Sequence, residues 1–484
     1  MKLVEIAQEA AAPEHDILAE LPGRILVLGL GSVGQAIVPL ILRHIKCDPS
    51  KITILELGEH KKLFEERWAS TGITYVAERI VKDNLDSTLS KYLGDGDFLV
   101  NASLNIDGIA IVKWCLEHGV KYIDTSIERW ENQQDEVIPN MGERTLYYAH
   151  AQIRKMAEQF KGKNAATCVV THGANPGLVS HFTKAALLDI AHGMGLNVEV
   201  PTDRNGWANL MKKVGVKVIH IAERDTQVID KPKVMGEFVN TWSCEGFWAE
   251  GRAPAELGWG THEDKMPPNG AAHPTGPKNA IYLKQPGMAT MIKSWVPLGG
   301  SYEGFLIQHS EAVTISEYFT TSDGSFRPTV HYTYQPCDAA IASAHELRGN
   351  QLRMQPVKRI AKDEVISGRD ELGVLLMGGP WTSWWYGSQL DINEARSLVP
   401  HESATSLQVV ASMLGAIVWA IKNPNMGYVE PEDLPFEEVL SVAFRYLGPM
   451  ASVQSDWTPL TNNQTIFPRA YNTSNPWAFE NFQA

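Results

Sequence analysis

The sequence predicts an α/β chain: a doubly wound parallel sheet, then a second α+β domain built on a mixed or antiparallel sheet. Two observations predict the first sheet. Apolar, β-rich runs alternate with helical stretches through the first half, and a glycine-rich turn joins the first run to a helix. A third observation predicts the second sheet. Beyond Gly177 the runs alternate polar and apolar residues, punctuated by Gly and Pro.

The strands predicted for the first sheet are 24–29, 51–57, 73–77, 98–103, 121–126 and 168–173. They are apolar almost throughout, as strands covered on both faces must be. Helices are predicted over 35–45 and 108–118. A polar insertion at 128–163, with a helix over 142–160, separates the fifth and sixth strands. In the second half, alternating runs fall at 304–310, 312–320, 327–334, 371–377 and 381–387. The last follows the tight turn Gly378-Gly379-Pro380. Gly, Pro and charge make 251–277 a predicted long loop. The segment 403–422 is apolar nearly all round and reads as a buried helix; its apolar stretch, 407–421, is too short and mixed to span a bilayer. The tail beyond Pro424 shows little periodicity.

Composition excludes several classes of function. The chain has 484 residues, enough for two or three domains, and an ordinary globular composition. Its 43 Lys and Arg against 56 Asp and Glu give a net charge of −13, which argues against nucleic acid as a partner. The five cysteines are widely spread with no metal-ligand spacing, and no HExxH-type histidine pair occurs, so no metal is expected. The N-terminus carries Glu5, Glu9, Glu14 and Asp16 and lacks a signal-peptide pattern. The expectation is a cytoplasmic protein with free thiols and no membrane partner. The 14 Trp are concentrated after residue 150, with four between Trp207 and Trp259. Most such residues serve cores, but Trp is also the best face for an organic cation.

The turn Gly29-Leu30-Gly31-Ser32-Val33-Gly34 is G-x-G-x-x-G in the right context, after an apolar strand and before an amphipathic helix. Gly29 allows the tight turn, Gly31 admits a pyrophosphate to the backbone, and Gly34 lets the helix pack closely. This is the Rossmann fingerprint, so Gly29, Gly31, Ser32, Val33 and Gly34 are candidate dinucleotide contacts. Glu56 closes the second strand, 27 residues after Gly29, and is the candidate ribose partner favouring NAD over NADP; Lys61 and Lys62 nearby weaken that preference. Asn101, Ala102 and Ser103, then Asp124 and Thr125, close the fourth and fifth strands, where such sheets bind ligands. Gly173-Ala174-Asn175-Pro176-Gly177 follows the sixth, placing Ala174 and Asn175 near the nicotinamide end. The expected division is an NAD-binding domain over 1–175, completed by the helix 403–422. A substrate and dimerisation domain over 176–402 and an extension over 423–484 packed on the body complete it.

The stretch 220–260 holds Glu223, Glu237, Glu245, Glu250 and Glu256 among Trp242, Trp248 and Trp259. Arg224 and Arg252 offer ordinary ion-pair partners for these acids. The sharper reading is a pocket for an amine, with carboxylates holding an ammonium and Trp facing a cation or iminium. Beside a dinucleotide site, that combination suggests amine oxidation or reduction. His309 and Glu311, two apart on a predicted strand, would share a face as an acid/base pair.

The strings GLGSVG, YIDTSIE, GANPGLVS, HIAERDTQ, NTWSCEGF, PAELGWGT, DELGVLLMG and WWYGSQL closely resemble the bacterial homospermidine synthases. The resemblance runs from about Arg24 to Asp456–Leu460, with a more distant likeness to saccharopine dehydrogenase-like proteins. It implies an NAD-dependent transferase. Putrescine is oxidised to an imine and ammonia leaves. A second putrescine (or the diamine end of spermidine) condenses, and the new imine is reduced to homospermidine. The resemblance makes Trp242 the cation–π platform. Glu223 and Glu250 become amine anchors, Glu128 the holder of a distal ammonium, and Asn175 the residue that orients cofactor and substrate. His309, with Glu311 beside it, shares with Glu223 the candidacy for proton shuttle. A homodimer is implied. Glu at position 56 and the acidic N-terminus depart from the family pattern. The alternatives are an NAD(P)-dependent reductive aminase of the saccharopine or carboxynorspermidine type, and a non-catalytic NAD-sensing or polyamine-binding protein.

Overall fold

The computed structural model describes residues 16–131, 138–462, 466 and 469–484. Glu5, Glu9, Glu14 and part of the predicted insertion, 132–137, lie outside the described residues.

The first sheet has seven strands, one more than predicted. In spatial order they are Tyr428–Val429, Cys168–Val169, Lys121–Asp124, Phe98–Asn101, Ile25–Leu28, Ile52–Glu56 and Thr74–Ala77. Every neighbouring pair is parallel. Ile25, Leu26, Val27 and Leu28 are all buried, because helices cover both faces. Strand order reverses between Ile25–Leu28 and Phe98–Asn101, and the crevice for a ligand opens outside the carboxyl ends at that point. The helices Ser32–His44 and Gly108–His118 fall where the sequence predicts them. The insertion helix is Leu146–Ala157, flanked by short 3₁₀ turns.

The second sheet has ten strands. Its path runs Gly270–Ala272, Ala280–Pro286, Pro254–Gly258, Thr329–Gln335, Val216–Asp225, Arg369–Gly378, Ser383–Asp391 and Met450–Ser455. The hairpin Met291–Val296 and Gly300–Phe305 joins it through Thr329–Gln335. The pairing is antiparallel except between Thr329–Gln335 and Val216–Asp225, which are parallel. The sheet is therefore mixed.

Three expectations need correction. The run 312–320 is not a strand: Ser310–Tyr318 is a helix. It is buried on nearly every side, so its apolar residues show no helical stripe, and its β-branched residues mimic a strand. The predicted loop 251–277 contains the strands Pro254–Gly258 and Gly270–Ala272. Pro and Gly inside them conceal the β pattern. The tail is also structured. It supplies Tyr428–Val429 to the first sheet, the helix Phe436–Ala443, and Met450–Ser455 to the second sheet.

The helix Ala404–Lys422 ties the two sheets together. By length and composition it could cross a membrane, contrary to the sequence estimate, but 89% of its apolar window is buried inside the protein. A Cβ on Gly415 would lie 2.8 Å from the Val439 carbonyl oxygen, so glycine there lets the neighbouring helix approach. One contiguous hydrophobic cluster runs from Val27 and Ile54 of the first sheet through Leu407 and Val410 to Ile219 and Tyr332 of the second. The crevice between the sheets is thus framed by a shared core.

Candidate active site

The glycine turn is built as its spacing implies. Gly29 has φ +87°, and a Cβ there would stand 2.6 Å from the Ala102 carbonyl oxygen. A Cβ on Gly34 would overlap the Gly29 carbonyl. A Cβ on Gly31 would meet nothing within 4 Å, so the space beside this backbone is open. Gly31 caps the helix Ser32–His44, whose first turn, with Ser32 and Val33, holds no acid. The helix N-terminus therefore presents its amide groups and positive dipole end to the crevice, a fit for a pyrophosphate.

Glu56 sits beside this turn, since the Gly29 N–H donates to the Leu55 carbonyl at 2.9 Å. Its carboxylate is heavily engaged. It accepts the N–H groups of Leu57, Gly58 and His60, each at 3.0 Å, and the Tyr75 hydroxyl. Burial works to raise its pKa, but Tyr75 and these amides win and lower it. Glu56 thus shapes the loop at the ribose end as well as carrying charge there.

Asn101 receives the Ser103 hydroxyl at 2.6 Å and donates to the Tyr122 hydroxyl at 3.0 Å. Tyr122 donates in turn to Asp124 at 2.6 Å. Asp124 is fully buried, and its other oxygen accepts the Thr171 N–H at 2.5 Å. Burial pushes its carboxyl up to about 7. Asp124 points inward, held by Tyr122 and Thr171, and braces the turn that delivers Asn175, instead of facing a bound ligand. Thr125 approaches the same turn, because a Cβ on Gly173 would lie 3.2 Å from its methyl group. Ala174 is buried in the core.

Asn175 reaches across to the second sheet and donates to Glu223 Oε2 at 2.6 Å. The Tyr332 hydroxyl donates to the same oxygen at 2.7 Å. These strands lie in parallel register, with Tyr334 opposite Glu223, so the tyrosine two residues back reaches the carboxylate. Burial pushes Glu223 up to about 7, against the two hydrogen bonds. Asp225 and Asp370 are opposed across the next pair of strands, both buried. Burial pushes Asp225 up to about 6 and Asp370 well above the usual carboxylate range. Each of these buried acids raises the pKa of its neighbours in addition to the effect of burial.

His309 is not on a strand. It is the extended residue before the helix Ser310–Tyr318, and Glu311 lies in that helix's first turn. The pair still meets: His309 Nδ1 lies 3.1 Å from Glu311, and Nε2 lies 3.3 Å from Glu250. Burial pulls the imidazole pKa down, but the two carboxylates outweigh it and push it up to about 10. His309 is therefore an imidazolium at neutral pH. Its ring packs on Tyr332, with centroids 4.2 Å apart. Glu128, Glu250 and His309 line one cavity together with Ser126 and Pro176. Glu128 accepts the Ser126 hydroxyl at 3.0 Å and the Asn105 N–H at 3.3 Å; burial raises its pKa, and the Glu250 charge adds to that.

Trp242 stands at the far end of the same chain of contacts. Its indole N–H donates to the Tyr334 hydroxyl at 2.9 Å, and Tyr334 stacks on Tyr332 at 5.2 Å. The structure thus brings together Asn175, Glu223, Trp242, Glu250, Glu128, His309 and Glu311 along one crevice wall. Tyr332 and Tyr334 belong to this wall and were missed. The alternation in His331-Tyr332-Thr333-Tyr334 puts both on one strand face, which was the available signal. Among the described residues no cluster of His, Cys, Asp and Glu has the form of a metal site.

Residues 25–169 match the saccharopine dehydrogenase NADP binding domain, and 173–453 match the saccharopine dehydrogenase C-terminal domain. A homospermidine synthase from Mesorhizobium japonicum is 43% identical over 476 residues, covering 96% of this chain and 97% of the relative. Another, from Blastochloris viridis, is 41% identical, covering 95% and 97%. The crystal structure of a homospermidine synthase from Legionella pneumophila in complex with NAD superposes with a TM-score of 0.89 at 40% identity, covering 96% of this chain and 98% of that one. Saccharopine dehydrogenase from Saccharomyces cerevisiae, at 11% identity and a TM-score of 0.50, shares the fold. Fold, site and near full-length identity agree: this chain belongs to the homospermidine synthase family.

Proposed function

We propose that this chain is an NAD-dependent homospermidine synthase. The observation that carries this reading is a cavity lined by two carboxylates beside a dinucleotide cradle. Glu128 and Glu250 line the cavity, and Asn175 joins the cradle side to Glu223. Bound NAD would supply a hydride acceptor for amine oxidation and a donor for imine reduction.

The residues divide the remaining work. Glu128 and Glu250 hold the distal ammonium of a diamine by charge-assisted hydrogen bonds. Glu223, pushed up to about 7, takes a proton from the reacting amine on its carboxylate and returns it. The Asn175 amide and Tyr332 hydroxyl fix that oxygen. Trp242 offers its ring face to the cationic intermediate. His309, a fixed imidazolium, holds Glu250 and Glu311 in place and adds a positive wall that keeps the cavity from trapping ammonium too tightly. Glu223, His309 and Glu311 are buried, which keeps water from the reacting end of the crevice. A saccharopine-type reductive aminase is not favoured, because the chain is 41–43% identical to homospermidine synthases over nearly its full length and 11% identical to saccharopine dehydrogenase.

The reading extends to a homodimer in a reducing cytoplasm. Five free cysteines, four of them buried, support the compartment. Exposed Val234, Met235 and Val357 around one strand pair support an apolar contact between copies. The second amine in this reading is putrescine or the diamine end of spermidine. The test is incubation with putrescine and NAD, with amines and ammonia quantified. Homospermidine and ammonia in equal amounts are expected; stoichiometric accumulation of NADH would mark a plain dehydrogenase instead.

A further inference from the structure

A buried cation lies outside the amine site. Lys362 follows the strand Val357–Ile360, which pairs with Glu237–Asn240 just before Trp242, and its side chain is only 15% exposed. Its backbone is fixed. The Ala361 N–H donates to the Asn240 carbonyl at 2.7 Å, and the Arg396 guanidinium donates to the Lys362 carbonyl at 2.6 Å. The Lys362 ammonium donates to both oxygens of Glu402, at 3.0 and 3.2 Å, and to Gln35 Oε1 at 2.8 Å. Glu402 is buried and directly precedes Ser403, the N-cap of the helix Ala404–Lys422.

Gln35 carries this contact to the glycine turn. It is buried in the helix Ser32–His44, and its Nε2 donates to the Leu30 carbonyl at 2.8 Å. An ammonium can only donate, so Oε1 must face Lys362 and the amide nitrogen must face Leu30. In a trans peptide the C=O and the following N–H point opposite ways. Holding the Leu30 carbonyl on Gln35 therefore turns the Gly31 N–H away from the core, at the glycine whose surroundings are open. A buried ion pair adds little stability that apolar residues of the same size would not supply. What apolar residues cannot do is orient the Gln35 amide.

Resting on the function proposed above, we infer that Lys362 and Glu402 are positioning residues that hold the glycine turn in its dinucleotide-binding shape through both hydride transfers. The chemistry asks for such a hold. Two electrons leave the donor carbon as hydride, ammonia departs, a second amine enters, and the same hydride returns to that carbon. The amine side must open while the cofactor stays. None of the described residues that line the cavity of Glu128, Glu250 and His309 takes part in the Lys362–Glu402–Gln35 contact, so exchange of amines leaves it unbroken. The start of the helix Ala404–Lys422 also steadies the amine side, because the Ser403 hydroxyl donates to the Thr241 carbonyl at 2.9 Å, next to Trp242. Glycine turn and amine wall thus hang from one buried helix end.

The experiment turns over putrescine deuterated at both amine-bearing carbons with NAD and excess unlabelled NADH. Mass spectrometry reads the share of homospermidine that has lost one deuterium, which counts turnovers in which the cofactor escaped. Less folded protein lowers the yield but not this share. Lys362→Met/Glu402→Met removes both charges together and leaves neither unpaired. Gln35→Met removes the bond to the turn and keeps the Lys362–Glu402 pair. Each is expected to raise the share about tenfold or more over the wild-type background, as loss of a hydrogen bond to a charged group implies. A lower yield with an unchanged share would overturn the inference and leave the proposed activity standing. Complete loss of one deuterium already in wild type would do the same. No homospermidine from wild type would overturn both. Should the double variant not fold, Gln35→Met decides by the same share.

Discussion

Asn175 and Glu223 meet across the two sheets, the amide of one donating to Oε2 of the other at 2.6 Å. One residue ends the dinucleotide side and the other lies on a central strand of the second sheet. The contact is therefore where cofactor and amine chemistry would be registered. Asn175→Ala removes the clamp and leaves the Tyr332 bond. It should lower kcat about 10²-fold while changing KM for putrescine much less, because binding rests on Glu128 and Glu250. Steady-state kinetics decide it; an equal loss in KM alone would place Asn175 in substrate binding.

Tyr332→Phe tests the proton role of Glu223. The tyrosine hydroxyl bonds the carboxylate and favours its charged form. Its removal raises the Glu223 pKa further above the ordinary range. If ionised Glu223 is the base, the acid limb of the kcat/KM profile moves to higher pH, by up to about one unit. An unmoved limb would assign the limb to another group.

Trp242→Phe keeps an aromatic face but loses the N–H donated to Tyr334. Trp242→Ala loses both. A cation–π role of roughly 0.5–2 kcal/mol predicts that Ala is about 2- to 30-fold worse than Phe in kcat/KM. Equal losses would leave only the hydrogen bond.

Glu56→Ala separates architecture from cofactor binding. Loss of the amide and Tyr75 bonds should lower stability by roughly 1.5–3 kcal/mol, read by denaturant melts. Because the folded pKa is depressed, the stabilisation from ionised Glu56 is present above the unfolded carboxylate pKa. It fades as pH falls through the folded value, so the wild-type advantage shrinks in acid. NAD affinity should also fall; stability loss with unchanged affinity would make Glu56 a loop brace alone.

Much of this site is legible in the sequence. Gly29, Gly31 and Gly34 announce themselves because each has a separate steric duty that only glycine meets. The six predicted strands sit in apolar runs, even the two-residue Cys168–Val169, which Val170 extends, whereas Tyr428–Val429 is flanked by Gly427 and Glu430 and shows no run. The helix after His309 is hidden by burial on nearly every side, yet the His309–Glu311 contact survives the wrong local structure, since Glu311 in the first helical turn still comes within 3.1 Å of the His309 ring. Asp124 shows the opposite failure. Its place at a strand end suggests a ligand, but which way a terminal side chain turns depends on Tyr122 and Thr171, which meet it only in three dimensions. The long-range clusters of Glu223 with Tyr332, and of Asp225 with Asp370, depend on strand register that no local window contains.

The central claim is that one cofactor removes a hydride from the donor and returns it within the same closed site. The direct measurement uses putrescine deuterated at both amine-bearing carbons, turned over in the presence of excess unlabelled NADH. Mass spectrometry then counts deuterium in homospermidine. The account predicts that every deuterium is retained, because the hydride never leaves the site. Loss of one deuterium per product, with protium in its place, would contradict it.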